Sequence, residues 1–110
     1  MFSHIKILIN LPYFFFIFSK IWDAETLSCK MILKGHKRGV WDVNFSPIEK
    51  LLASGSGDST VKIWNLEDGQ CVHTFEGHMG SVLKVQWVCF GLEIISGGAD
   101  GLVKVWNVKK

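Results

Sequence analysis

Residues 34–65, KGHKRGVWDVNFSPIEKLLASGSGDSTVKIWN, and residues 76–107, EGHMGSVLKVQWVCFGLEIISGGADGLVKVWN, align without a gap and share 11 identical positions in 32. The same register reaches back to Lys20-Ile21-Trp22-Asp23, 42 residues before Lys62-Ile63-Trp64-Asn65, which stands 42 residues before Lys104-Val105-Trp106-Asn107. Gly35-His36 answers Gly77-His78, Val40 and Val43 answer Val82 and Val85, Ser54-Gly55 answers Ser96-Gly97, and Asp58 answers Asp100. A fixed period of this length marks a repeated supersecondary unit.

Within one unit the residues alternate between strand formers and turn formers. Strands are predicted over 40–45, 51–55, 61–65 and 71–75. Ser46-Pro47 ends the first, because proline cannot donate to an ongoing ladder. Gly57-Asp58-Ser59 and Glu67-Asp68-Gly69 supply tight turns. Four short strands joined in this way make one antiparallel sheet. Val61 and Ile63 point to one face and Trp64 to the other, so both faces are apolar. A lone sheet would leave one of them wet, and radial stacking of such sheets is the arrangement that covers both.

Outward from the repeat, composition limits what else the chain can be. The 110 residues are 48% hydrophobic and 20% charged, with a net charge of +2. That describes one modest ordered domain and fits neither a disordered chain nor a strongly basic nucleic-acid module. Cys29, Cys71 and Cys89 are widely separated, without the spacing of a zinc or redox motif, and a reducing compartment suits them best.

Residues 1–19 differ from the rest, and five of the eight phenylalanines fall there. The apolar run from Ile7 to Phe18 is interrupted by Pro12 and falls short of the roughly 20 residues a membrane helix needs, so no membrane role is expected. Its length suits a secretory signal, yet Ser19-Lys20-Ile21-Trp22 is no small-residue cleavage site. The segment reads as an atypical apolar leader, and residues 20–110 as the repeat region, with units at 24–65 and 66–107.

The recurring polar residues need partners if the strands bury them. In one unit Trp64 can donate to Ser54, Ser54 can bond to His36, and His36 can donate to Asp58. Trp106, Ser96, His78 and Asp100 offer the same network in the next. Serine, histidine and aspartate also suit a nucleophile, base and orienter. A set that occurs twice, 42 residues apart, with no nucleophile elbow and with tryptophan at its end, reads as bracing and not as catalysis. Gly55-Ser56-Gly57 and Gly97-Gly98 lack phosphate-loop spacing and any following helix. Lys37-Arg38 has Met79-Gly80 as its counterpart, so this basic pair stands outside the repeat and is a candidate contact for an acidic partner or an RNA backbone. Lys109-Lys110 carries less weight.

The passage from Gly-His to Trp-Asp or Trp-Asn resembles the WD40 repeat family, with Asn65 and Asn107 where Asp is commoner. Residues 1–19 do not match, since the Ser and Asp positions would fall on Pro12 and Phe16. The resemblance implies an all-β propeller fragment of about two four-stranded antiparallel blades, with the ring not closed, and therefore marginal stability or self-association. It implies no catalytic residue, cofactor, metal or small-molecule substrate. At finer grain, Leu33 to Gly39, Glu76 to Val85 and Gly101 to Trp106 resemble the U3 small nucleolar RNA-associated protein thirteen family. That resemblance implies a scaffold of the small-subunit processome in the nucleus and nucleolus, acting in pre-ribosomal RNA processing and small-subunit biogenesis. Its partners would be other processome proteins and U3 small nucleolar RNA or pre-ribosomal RNA. The alternative is a general adaptor of the same family, serving signalling, ubiquitin ligation or vesicle traffic.

Overall fold

The computed structural model describes residues 5–9, 18–23 and 29–108. Three antiparallel sheets follow one another along the chain. The first contains β1 (Ile5–Ile9), β2 (Phe18–Asp23) and β3 (Cys29–Lys34). The second contains β4 (Val40–Phe45), β5 (Leu51–Ser56), β6 (Thr60–Asn65) and β7 (Cys71–Glu76). The third contains β8 (Val82–Val88), β9 (Glu93–Gly98) and β10 (Val103–Asn107). In each sheet the strands pair in sequence order, and in the second and third sheets short turns between neighbouring strands dictate it. The second and third sheets are blades of four and three strands, and the ring is not closed.

Irregularities repeat along with the strands. The β4–β5 ladder slips between Val40 and Asp42, and the β8–β9 ladder slips between Val82 and Lys84, each 42 residues from the other. Trp41 and Leu83 occupy these bulges and are exposed. A second pair of slips follows Ile21 in β2 and Ile63 in β6. Bulges that recur at the same place in each unit set the strand twist.

The first sheet departs from the period at one point. β2 carries the Lys-Ile-Trp-Asp string, and its inner neighbour β1 lies within residues 1–19, in a stretch of β-branched and other aliphatic residues suited to a strand. Residues 10–17 separate β1 from β2, whereas residues 57–59 suffice between β5 and β6. Most of the phenylalanine-rich run, with Pro12 and Phe16, lies outside the described residues, as do Lys109 and Lys110.

The middle blade is buried on both faces. On one, Ala53, Val61 and Ile63 pack with Val82, Val85, Trp87 and Ile94 of the third sheet and with Val108 just beyond it. On the other, Leu52 and Trp64 pack with Leu33 of the first sheet, bordered by Val43, Phe45 and Leu66. Each such aliphatic side chain withdrawn from water is worth about 1.5–3 kcal/mol, and without its neighbours the sheet would forfeit one face of them. Polar bonds add register between blades. The amide of Val85 donates to Asp42 Oδ2 at 2.9 Å, and the Trp87 indole donates to the Asn44 carbonyl at 2.8 Å.

Candidate functional site: a braced rim

Because strands alternate in direction and β4 runs parallel to β8, loops 35–39, 57–59, 77–81 and 99–102 emerge at one rim. Turns 46–50, 66–70 and 89–92 emerge at the other. The repeated polar residues hold the first rim together.

In the middle blade the Trp64 indole donates to Ser54 Oγ at 2.8 Å, and Ser54 Oγ lies 2.6 Å from His36 Nε2. His36 Nδ1 lies 2.9 Å from Asp58 Oδ2. The partners assign the hydrogens: a carboxylate can only accept, so Nδ1 carries the proton and Nε2 accepts from the serine hydroxyl. Every donation then runs one way, from tryptophan to aspartate. Asp58 also accepts from the Thr60 hydroxyl at 2.6 Å, the Thr60 amide at 3.0 Å and the Lys37 amide at 2.9 Å. Burial works against its charge, but the bonds from His36, Thr60 and Lys37 outweigh it and hold this carboxyl below the usual carboxylate range.

The third sheet repeats the arrangement. Trp106 donates to Ser96 at 2.8 Å, Ser96 lies 2.8 Å from His78 Nε2, and His78 Nδ1 lies 3.0 Å from Asp100 Oδ2. The Met79 amide donates to Asp100 at 2.8 Å and the Leu102 amide at 3.1 Å. The Met79 amide is the main cause that brings the Asp100 carboxyl down to about 2, opposed by partial burial and helped by Leu102 and His78. Leu102 stands where the other unit has Thr60, so this aspartate lacks the hydroxyl donor.

These contacts leave the serines no chemistry to perform. Ser54 and Ser96 are fully buried, and each has its hydroxyl proton committed to histidine and its oxygen to an indole. A nucleophile needs an approach path, and neither serine has one, since both are withdrawn from solvent beneath a histidine and a tryptophan. Among the described residues no group of three His, Cys, Asp or Glu side chains could hold a metal ion.

The glycine of each Gly-His pair has a steric reason that spacing alone does not reveal. A Cβ at Gly35 would come within 2.9 Å of the Trp64 ring, and one at Gly77 within 2.9 Å of the Trp106 ring. Sequence reasoning also missed Thr60 and the inter-blade acceptors Asp42 and Asn44, because none of these recurs in the second unit. Asn65 is explained: its Oδ1 accepts from the Glu67 amide at 2.7 Å, capping the turn as an aspartate oxygen would.

Lys37 and Arg38 sit on the braced rim. The Lys37 amide is tied to Asp58 and the Arg38 carbonyl accepts from Ser56 Oγ at 3.0 Å, while both side chains are exposed. The backbone is fixed and the cations face solvent. In the next unit the exposed Met79 takes the place of Lys37 on an equally fixed backbone.

Comparison with known families gives one match: the family described as "WD domain, G-beta repeat" matches residues 27–65 and 69–107. Comparison with curated proteins finds no match.

Proposed function

The chain belongs to the WD40-repeat family, whose domains are non-catalytic scaffolds for protein–protein interaction, and from that premise we propose that it is an adaptor whose specificity lies in the side chains carried by its braced rim. One observation carries the reading: two loops are fixed by the same network, yet they present Lys37-Arg38 in one unit and Met79-Gly80 in the next. A rigid frame with variable tips separates holding a surface from choosing a partner. Lys37 and Arg38 select an acidic partner surface, and Met79 supplies an adjacent apolar contact.

Within this reading the small-subunit processome is the narrower assignment, with nucleolar localisation and a part in pre-ribosomal RNA processing. It is supported by the resemblance of Leu33 to Gly39, Glu76 to Val85 and Gly101 to Trp106 to the U3 small nucleolar RNA-associated protein thirteen family. The broader assignment, a general adaptor, is supported by the family match alone. Proximity labelling in cells, with the wild-type chain and a Lys37→Glu/Arg38→Glu variant, tests both. The adaptor reading expects discrete neighbours and the loss of some of them in the variant. Identical neighbours for both chains would refute the role of the basic pair. Enrichment of nucleolar pre-ribosomal components supports the processome, and their absence from both samples removes it.

A further inference from the structure

The rim opposite Lys37 and Arg38 has a different character. Glu49, Glu67, Asp68 and Glu93 lie in or beside its turns, with Lys50 the cation there among the described residues, 3.7 Å from Glu67. Both members of that ion pair are exposed, so it neutralises little. Interleaved with these acids are exposed apolar side chains: Phe90 at 83%, Ile48 at 59%, Leu92 and Val72.

The apolar groups form one surface. Gly91 packs close to Ser46, which sets turn 89–92 against turn 46–50 of the neighbouring blade. The Val108 amide donates to the Leu92 carbonyl at 3.0 Å, and Val108 in turn lines a cleft of about 390 Å³ with Leu51, Val72, His73, Glu49, Glu67 and Lys50. Val72 is the extra residue at the β6–β7 bulge, which turns it out of the ladder.

Phe90 is held there at a cost. Cys89, Phe90 and Gly91 have φ of 51°, 56° and 86°, three successive residues in the left-handed region, which is unfavourable for the two that are not glycine. The backbone spends this to aim an aromatic ring into water, where it stabilises nothing within the chain.

The geometry points to this rim as a second docking surface, for a protein segment carrying an aromatic or long aliphatic anchor flanked by arginine or lysine. The anchor lies against Phe90, Leu92 and the Val72–Val108 cleft, and the basic groups face Glu49, Glu67 and Glu93. The same acids repel an RNA backbone. The inference rests on the adaptor reading but uses the opposite rim, so the two can fail separately.

A fluorescent synthetic peptide with a Leu-Phe core flanked by arginines, and its counterpart with glutamates, are titrated against the full chain by anisotropy at low and high salt. The arginine peptide should bind, weaken with salt, and exceed the glutamate peptide by about tenfold or more. Phe90→Gly should weaken the arginine peptide about tenfold while keeping the thermal midpoint, because the contact for the anchor is lost and glycine relieves the left-handed backbone. Glu49→Lys/Glu67→Lys should also weaken the arginine peptide. No binding, equal binding of both peptides, or full binding by Phe90→Gly would overturn the proposal. So would sedimentation showing that Phe90→Gly disrupts self-association and not peptide binding, which would make a second copy the occupant.

Discussion

The β6 strand of the middle blade and the β10 strand of the last are nearly the same string, yet their environments differ. Val61 and Ile63 have no solvent exposure, whereas their counterparts Val103 and Val105 are 72% and 58% exposed. Gly55 meets Val82 and Val85 of the next sheet, and its counterpart Gly97 has no atom within 4 Å of where a Cβ would stand. Ladder, turn and side-chain network are common to both. Among the described residues no further sheet packs on that face of the third sheet, so burial in this architecture belongs to the interface between units and not to the unit.

The sharpest way to break this comparison is to truncate both members of a pair. Ile63→Ala should destabilise the protein by about 2–5 kcal/mol, the range for deleting a buried aliphatic group. Val105→Ala should stay within about 0.5 kcal/mol. Urea unfolding of the two variants decides it, and equal losses would mean that blade stacking does not set the difference.

Adding a methyl group gives the next largest contrast. Gly55→Ala would drive a Cβ to 2.7 Å from Val82 Cγ1, at a cost of about 1–3 kcal/mol for overpacking. Gly97→Ala enters open space and should be neutral or slightly stabilising. Thermal midpoints of both proteins provide the check.

Ser54→Ala leaves the buried Trp64 indole without an acceptor and His36 without a donor, which should cost about 1–3 kcal/mol. Ser96→Ala should cost less, because Trp106 is only half-buried and water can replace the lost bond. A double-mutant cycle with Trp64→Phe and Trp106→Phe isolates the two bonds.

The smallest effect concerns acid. Both aspartates are more acidic folded than unfolded, so the stability they contribute is present above the ordinary carboxylate value of about 3.9 and is lost as pH falls through their folded values. The Asp100 part should disappear as pH approaches about 2, and the Asp58 part should persist lower. Leu102→Thr restores the missing hydroxyl donor and should move Asp100 toward Asp58, as followed by NMR titration of the carboxyl carbons.

Much of the fold was legible in the sequence because a repeat shows each element twice. Two-faced apolar strands required stacked sheets, and the polar residues conserved between the two units are those whose hydrogen bonds close within one blade. What spacing could not show are contacts made once. Asp42 and Asn44 become Lys84 and Gln86 in the next unit, and their partners lie 43 residues away in another sheet. The left-handed backbone at Cys89 and Phe90 was equally hidden, because their counterparts Pro47 and Ile48 mark the end of a strand there without giving the turn's handedness. The strand at Ile5–Ile9 escaped because residues 10–17 break the period that identified every other strand.

The bond from the Val85 amide to Asp42 has a consequence for how the protein avoids misassembly. β8 is the last strand on its side of the sheet, and the amides of Val85 and Trp87 point away from β9. An unpaired strand edge of that kind is a template for addition of a foreign strand and growth of aggregates. Here the preceding blade supplies the guard, since the side chains of Asp42 and Asn44 occupy those donors. The middle blade thus shields its successor, and unfolding of the middle blade would uncover the β8 edge.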